Sequence, residues 1–328
     1  MIQREPLMTI SDGIRSEAPM SFTLFPGTRL ALALESLAGL SVGDALGAQY
    51  LVPGNKPADL ADGRVPDSPW EWTDDTEQAC CLVATLFEGA ETDKHFDRDA
   101  FAERLGRTYD PYRGYGPGAV VMLREIRDGL PWPIASAAAF DGAGSCGNGA
   151  AMRAAPLGAW HADSLAHAAT EGARAAEVTH SHPEGIAGGV AVTVAAAVAA
   201  AGRLDGRRPE PALLLRAVAA HTPDGLVRAD LLAAATIGRA DEAAHRLGNG
   251  TRALAQDTVP FALWVAARHL DDYPAAISAC VAAGGDVDTT AAIAGGVVAA
   301  YTGADGIPAA WLSAREPLPA WLAAAGGE

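Results

Sequence analysis

Two short segments, WTDDT at residues 72–76 and GGDVDTT at residues 284–290, combine neighbouring carboxylates with hydroxyl side chains. Carboxylate, hydroxyl and water oxygens are the ligands that hard cations such as Mg²⁺ or Mn²⁺ prefer. If the fold brought the two segments together, four carboxylates would meet, and like charges that close need compensating cations. Two ions fit that charge better than one. The sequence therefore predicts a cation site made from two distant parts of the chain.

A helix cap is the ordinary alternative for the first segment. Thr73 or Asp74 could accept hydrogen bonds from the free amides at a helix N-terminus, where the helix dipole also favours acids. The second segment favours the cation site, because Gly284 and Gly285 let the backbone fold tightly around an ion. The pattern of two acid–hydroxyl segments is therefore more informative than either segment alone.

Two glycine-rich segments could approach a ligand through their backbone. GSCGNGAAMR at residues 144–153 exposes amides and one hydroxyl, which is a plausible phosphate cradle, but a structural turn fits equally well. No strand precedes it, so a nicotinamide-dinucleotide fold is disfavoured. GYGPG at residues 114–118 offers a second backbone-rich surface with an aromatic ring.

Histidine and tryptophan side chains offer weaker signals. His180 and His182 stand two residues apart, so they point apart on a helix and do not make a two-histidine zinc site. One core histidine and one cap is the alternative to a ligand contact. Trp70 and Trp72 flank the first acidic segment and could wall a cleft or simply pack.

The elements that must position these residues follow a helical period. Apolar residues recur at helical spacing from residue 28 to 48 and from residue 76 to 88, and Asp99 and Pro117 are candidate start signals for two further helices. Strand-like alternation is nearly absent. The long loops at 52–69, 110–118 and 141–150 are predicted to carry function. The other predicted helices cover residues 164–178, 184–203, 210–220, 223–238, 258–270, 273–283 and 288–301.

Composition and charge restrict the class of protein. The 328 residues are 49% hydrophobic but only 6% aromatic, so the core must be built from small aliphatic side chains that suit packed helices. The formal charge of −16 repels phosphate backbones and excludes general nucleic-acid binding. Residues 1–25 are predicted to be a flexible arm and 26–328 one folded domain; a surface loop near residue 205 is the only candidate boundary within it.

Cysteine usage and hydropathy address the compartment. The four cysteines lack zinc-site spacing and indicate a reduced, cytoplasmic protein with packed thiols. Residues 185–202 contain no charge and meet the length test for a membrane helix, but they are rich in Ala and Gly, so insertion would be weak. A buried central helix is the preferred interpretation, and no membrane partner is predicted.

The sequence resembles the ADP-ribosylglycohydrolase family from about residue 28 to 303. The resemblance implies an all-α orthogonal helical bundle in a single domain, with a site for two divalent cations, Mg²⁺ or alternatively Mn²⁺. It is specific because the motifs occur together and in order. These motifs are GDALG at 43–47, WTDDT at 72–76, GSCGNGAAMR at 144–153, TH at 179–180 and GGDVDTT at 284–290.

The same resemblance implies roles for individual residues. The implied cation ligands are Thr73, Asp74, Asp75, Asp286, Asp288 and Thr289. Asp74, Asp75 and Asp286 are the implied catalytic carboxylates. The implied substrate-binding residues are Gly116, Gly118, Ser145, Gly147, Asn148 and His180, with the glycine-rich loop holding the diphosphate of ADP-ribose.

One position departs from the family pattern. Several members carry a Glu seven residues after the Asp of the GDALG segment, near the scissile bond, and this chain has Leu51 there. An aliphatic side chain is neither acid nor base. Hydrolysis would then rely on metal-activated water, with Asp74, Asp75 or another carboxylate as the base.

Three hypotheses about the function of the protein are consistent with these motifs. The preferred one is a hydrolase that releases ADP-ribose from an ADP-ribosylated protein or other ADP-ribosylated acceptor. A non-catalytic ADP-ribose-binding sensor is the alternative that Leu51 motivates. A two-metal phosphoesterase is weaker, because no histidine ligands accompany the acids.

Overall fold

The fold is a bundle of α-helices, seen in a computed structural model that describes residues 23–89 and 95–325. Within these ranges no residue lies in a β-strand, and β-pairing is limited to two isolated bridges. The all-α prediction is confirmed. The predicted arm at 1–25 lies outside the described residues except for its last three positions.

The described ranges contain seventeen α-helices and two short 3₁₀ helices. The α-helices are α1 (Pro26–Gln49), α2 (Pro57–Ala61), α3 (Asp74–Gly89), α4 (Arg98–Thr108), α5 (Pro117–Arg127), α6 (Trp132–Ala138), α7 (Ala155–Trp160), α8 (Leu165–Glu177), α9 (Pro183–Leu204), α10 (Pro211–His221), α11 (Leu226–Ala234), α12 (Ala240–Leu247), α13 (Ala255–Arg268), α14 (Tyr273–Ala283), α15 (Val287–Thr302), α16 (Ala309–Ala314) and α17 (Ala320–Ala325). The 3₁₀ helices are Asn148–Ala150 and Ala304–Gly306.

The predicted start of α4 was wrong by two residues. Asp97, and not Asp99, is the N-cap: its carboxylate accepts the N–H groups of Asp99 (3.1 Å) and Ala100 (3.0 Å). The helix therefore begins at Arg98, and Asp99 lies in its first turn, where the helix dipole favours an acid. The predicted start of α5 at Pro117 is confirmed.

Helices α1 and α15 lie against each other at the centre of the bundle, and glycine allows them to approach closely. A Cβ atom added at Gly43 would lie 2.2 Å from the backbone oxygen of Ala291, and one at Gly39 would lie 2.4 Å from that of Gly295. Both distances are far below van der Waals contact, so only hydrogen fits at these positions. The contact brings the second half of α1 beside the start of α15.

The apolar segment at 185–202 lies in α9, and 83% of its most hydrophobic window is buried against other helices. Helix α1 is also long and apolar enough to cross a membrane by length and composition, and 72% of its window is buried. Burial to this extent is typical of the core helices of a helical bundle. All four cysteines are free thiols, and Cys80, Cys81 and Cys280 are buried, as the packed-thiol interpretation predicts.

Candidate active site

Asp44 joins the end of α1 to the start of α3. Its side chain is fully buried, and its Oδ2 accepts the backbone N–H groups of Thr73 (2.9 Å) and Thr76 (3.1 Å). The hydroxyls of Thr73 and Thr76 donate to Oδ1 (2.7 Å) and Oδ2 (2.5 Å). Four hydrogen bonds on one buried carboxylate fix the WTDDT segment against α1. This role of Asp44 was not predicted from the sequence, although an acid between Gly43 and Gly47 in a mostly apolar helix was a usable signal.

The two acid–hydroxyl segments meet at this point. Carboxylate oxygens of Asp44, Asp75 and Asp288 all lie within 4.8 Å of one another. Gly47 makes the approach possible, because a Cβ atom there would lie 2.7 Å from the Cα of Asp288. The Thr73 hydroxyl lies 3.1 Å from Asp75 Oδ2, and the Thr289 N–H donates to Asp288 Oδ1 (2.9 Å). The predicted juxtaposition of distant segments is therefore present in the fold.

Asp286 occupies the N-cap position of α15 but does not cap it, since its side chain accepts no hydrogen bond from the first turn. Its Oδ2 instead accepts the side-chain N–H of Asn148 at 2.6 Å. Gly285 has φ +80°, and a Cβ atom there would lie 2.2 Å from Asn249 O, so the turn before Asp286 requires glycine. Asp286 is therefore not a helix cap. At the first segment, for which capping was the alternative, the Thr73 hydroxyl accepts the Asp75 N–H in a long contact of 3.4 Å.

Burial and mutual repulsion raise the pKa of the clustered carboxyls. For Asp74 the pKa rises from 3.8 to about 8, chiefly because of burial and secondarily because of the charge on Asp44. The pKa values of Asp75 and Asp288 lie well above their usual range for the same reasons. Burial also raises the pKa of Asp44, against the opposing effect of its threonine hydrogen bonds. Four acids are thus held where their ionised forms lack compensating charge.

The donor set fits hard divalent cations. Asp75 Oδ1 is buried and has no hydrogen-bond partner in the described part of the protein, which leaves an orphaned anionic oxygen. The surrounding ligand atoms are carboxylate and hydroxyl oxygens, which suit Mg²⁺ or Mn²⁺. Cations would remove the repulsion that raises the carboxyl pKa values. The cluster could therefore hold the predicted metal ions.

A cavity of about 350 Å³ opens from this cluster. Thr73 does not line this cavity; its hydroxyl contacts the carboxylates of Asp44 and Asp75 instead. Phe140, Met122 and Gln78 also line the cavity and were not identified from the sequence. The predicted site residues that line the cavity are Asp74, Asp75, Gly116, Gly118, Ser145, Gly147, Asn148, His180, Asp286, Asp288 and Thr289.

The N-terminus of α5 faces the cavity through Gly116, Pro117 and Gly118. Amides in the first turn of a helix have no acceptor inside it, and together with the helix dipole they attract anions. In the glycine-rich loop, by contrast, Gly147 N–H donates to Ser145 Oγ (3.2 Å) and Asn148 N–H to Ala253 O (3.1 Å). An anion at this loop would have to replace the weak Ser145 contact.

Buried Arg153 connects the two walls of the cavity. It donates to Gln78 Oε1, and Gln78 donates in turn to Asp74 Oδ2 (3.3 Å). On the other side Arg153 donates to the Thr179 hydroxyl (2.8 Å), which lies 2.7 Å from His180 Nδ1. Because Thr179 accepts from Arg153, its proton is available to His180 Nδ1. This arrangement favours the tautomer whose Nε2–H donates.

His180 packs against the glycine-rich loop. A Cβ atom at Gly147 would lie 3.5 Å from its Nε2, and one at Gly149 would lie 3.1 Å from its Cε1. Burial, together with the charge of Arg153, lowers the pKa of His180 to about 3, so the imidazole is neutral. His182 caps α9 by accepting the Glu184 N–H (3.1 Å), as the capping alternative predicted.

The remaining sequence candidates lie away from the cavity. Trp70 and Trp72 are buried and pack, and the Arg113 guanidinium stacks 3.4 Å from the centre of the Trp72 ring. Arg113 also accepts the Asp74 N–H through its backbone oxygen (2.8 Å) and so anchors the start of α3. Leu51 is 52% exposed just beyond α1 and does not line the cavity.

The sequence model of the ADP-ribosylglycohydrolase family matches residues 26–326. This chain belongs to that family. Its ADP-ribosylglycohydrolase fold is similar to a solved structure titled "ADP-ribosylglycohydrolase-related protein complex", with a TM-score of 0.59 and 28% identity. The similarity covers 91% of this chain and 97% of that one.

Curated relatives extend the comparison within the ADP-ribosylglycohydrolases. An uncharacterized protein of Archaeoglobus fulgidus is 35% identical, over 79% of this chain and 84% of its own. The ADP-ribosylhydrolase ARH3 of Homo sapiens is 28% identical, over 71% of each chain. The ADP-ribosylarginine hydrolase Tri1 of Pseudomonas putida is 28% identical, over 50% of this chain and 45% of its own.

Proposed function

We propose that this chain is a cytoplasmic, metal-dependent hydrolase that cleaves the glycosidic bond between ADP-ribose and an acceptor. The observation that carries the proposal is the convergence of the two acid–hydroxyl segments at one cavity, which a helix N-terminus also faces. The relatives named ADP-ribosylhydrolase and ADP-ribosylarginine hydrolase support the reaction class. The proposed substrate is an ADP-ribosylated protein or other ADP-ribosylated acceptor, and the product is ADP-ribose.

The cavity offers separate positions for the two ends of the ligand. The diphosphate would lie at the start of α5 and beside Ser145, where first-turn amides and a hydroxyl can donate to it. The neutral Nε2–H of His180 would donate a further hydrogen bond. This leaves the distal ribose at the carboxylate end, where the reacting carbon C1″ would lie beside Asp74 and Asp75.

Two divalent cations, Mg²⁺ or alternatively Mn²⁺, would supply Lewis-acid polarisation and a water of lowered pKa when bound. Thr73, Asp74, Asp75, Asp286, Asp288 and Thr289 are the proposed ligands, and Asp44 holds the first three in place through its threonine hydrogen bonds. Asn148 orients the carboxylate of Asp286. The amide of Asn148 is thus better placed to support a cation ligand than to bind the diphosphate directly.

An aspartate would act as the base, because no glutamate lines the cavity in the described part of the chain and several aspartates do. Asp74 is the best placed, since its one side-chain partner is Gln78 at 3.3 Å and its side chain faces the cavity. It would accept a proton as water attacks C1″ and the bond to the acceptor breaks. The electron pair of that bond leaves with the acceptor, which takes up the proton that Asp74 removed from water.

The direct test measures release of free ADP-ribose from arginine-, serine- and nucleobase-linked substrates, with and without EDTA. Asp286→Ala should reduce release at least about 100-fold, because the effect of losing a ligand exceeds the 10- to 100-fold effect of losing its supporting contacts. Asp305→Ala is the matched control, since Asp305 is exposed in a distant 3₁₀ helix. Undiminished activity in Asp286→Ala or in EDTA would refute the metal mechanism.

A sensor that binds ADP-ribose without turnover is the second candidate. It is favoured by the aliphatic and half-exposed Leu51 at the position where several family members carry glutamate. Calorimetry separates the two functions. Tight ADP-ribose binding combined with no hydrolysis of any substrate in the panel would favour the sensor, and release of ADP-ribose would exclude it.

A further inference from the structure

A second cluster of metal-ligating side chains lies outside the candidate active site. His167 and Glu171 stand four residues apart on α8, so they share one face of the helix. His95 reaches the same face from the segment before α4, and the ligand atoms of the three residues lie within 4.8 Å of one another. His95 and His167 line a separate cavity of about 1060 Å³ that shares no lining residue with the active-site cavity.

The distances resemble those of a site before metal binding. His95 Nδ1 lies 2.5 Å from Glu171 Oε1, and His167 Nε2 lies 3.6 Å from the same oxygen. Two ligands about 2.0 Å from a tetrahedral zinc ion stand about 3.3 Å apart. Both pairs therefore differ from that spacing by less than an ångström, which side-chain rotation can supply.

The other oxygen of Glu171 is held by the surrounding protein. Oε2 accepts the Phe96 N–H at 2.8 Å and lies 3.3 Å from Arg174 Nε. These contacts fix the carboxylate, whose side chain is only 1% exposed, and leave Oε1 directed at the two imidazoles. Supporting contacts of this kind orient the ligands of zinc sites.

A third imidazole lines the same cavity. The ring of His161 lies 4.6 Å from that of His167 between centroids, and His161 is 8% exposed. Its Nδ1 is buried and has no hydrogen-bond partner among the described residues. A buried imidazole nitrogen without a partner, next to the ring of His167, is a second, independent sign of a missing ligand.

We propose that His95, His167 and Glu171 bind a zinc ion. Two imidazoles and one carboxylate suit a borderline-soft ion such as Zn²⁺, whereas the oxygen-only cluster of the active site suits Mg²⁺ or Mn²⁺. The ion would join the segment before α4 to α8. Since no residue of the proposed reaction contributes to this cluster, we expect zinc binding there to leave hydrolysis unchanged.

The test is titration of the full chain with Zn²⁺ in excess Mg²⁺, which is added to fill the proposed oxygen-only site. Calorimetry should detect one zinc ion per chain in the wild-type protein. His95→Ala and His167→Ala should each weaken zinc affinity at least about 100-fold, because the loss of a ligand lowers metal affinity more than the loss of a supporting contact does. His245→Ala is the control, since His245 is an exposed histidine on α12.

Side-chain nitrogen NMR of the wild-type protein gives a readout that needs no variant. One equivalent of Zn²⁺ should shift His95 Nδ1 and His167 Nε2 and leave His221 unchanged. Equal zinc affinity in wild type and His167→Ala, or shifts confined to other histidines, would overturn the proposal. Because the readout is metal binding, a failure of the proposed hydrolysis would leave this result unaffected.

Discussion

Replacing Gly47 with alanine should impair hydrolysis, because the added methyl group would displace the proposed cation ligand Asp288. The added Cβ would lie 2.7 Å from the Cα of Asp288 and 2.9 Å from the oxygen of Val287. Ordinary contact begins at 3.4 Å, so the start of α15 must move by about 0.7 Å relative to α1. That shift separates Asp288 from Asp44. Misplacement of about 1 Å at a catalytic site can lower the rate about 100-fold, so a 10- to 100-fold fall in kcat/KM is expected.

The assay is ADP-ribose release at saturating Mn²⁺, with Mn²⁺ affinity measured in parallel. Overpacking should lower the free energy of unfolding by about 1–3 kcal/mol, offset by about 1 kcal/mol from the better helix propensity of alanine. Gly27→Ala is the matched control, because Gly27 lies on the same helix with nothing within 4 Å of the added atom. A Gly47→Ala protein with wild-type kcat/KM and wild-type Mn²⁺ affinity would refute the reasoning.

Three further predictions follow from the site. Without divalent cations, the free energy of unfolding should fall as pH rises from 4 to 8. The reason is that Asp74 keeps its proton up to a pKa of about 8 in the folded protein but loses it near 3.8 in the unfolded chain. Thermal unfolding in EDTA checks this, and a melting temperature that rises with pH would contradict it. Arg153→Lys should lower the free energy of unfolding by about 3 kcal/mol, since lysine cannot make all the hydrogen bonds of the buried guanidinium. An unchanged midpoint of urea unfolding would show that these hydrogen bonds are dispensable. His180→Ala should weaken ADP-ribose binding about 3- to 10-fold and leave Mn²⁺ affinity unchanged; calorimetry tests both, and a loss of Mn²⁺ binding would assign His180 to the cation site instead.

Local patterns predicted the long helices well. The spacing of apolar residues located α1 and α3, whereas α9 and α15 are visible as long apolar runs because nearly all of their residues are buried. Short helices such as α2 and α16 were not predicted. A segment of five or six residues spans barely more than one turn, so tertiary contacts decide whether it is helical.

The hydrogen bonds that support the proposed cation ligands were not predicted from the sequence. In the sequence Arg153 is only the last residue of a glycine-rich motif. In the fold it connects Gln78, which contacts Asp74, to Thr179, which contacts His180. A hydrogen-bond network between α3, the loop after Ser145 and the end of α8 has no periodic signature. The same holds for His95 and Glu171, which are 76 residues apart and meet only in three dimensions.

The chemistry of the donors is visible in the sequence, which contains two acid–hydroxyl segments, a glycine-rich loop and helices of small residues. The tertiary structure determines which of these donors meet in one cluster, because that depends on distance and burial. Gly43 and Gly47 let α1 approach α15, so that Asp44 comes beside Asp288. Only this approach, across more than 200 residues of chain, turns separate acids into one cluster whose repulsion calls for cations.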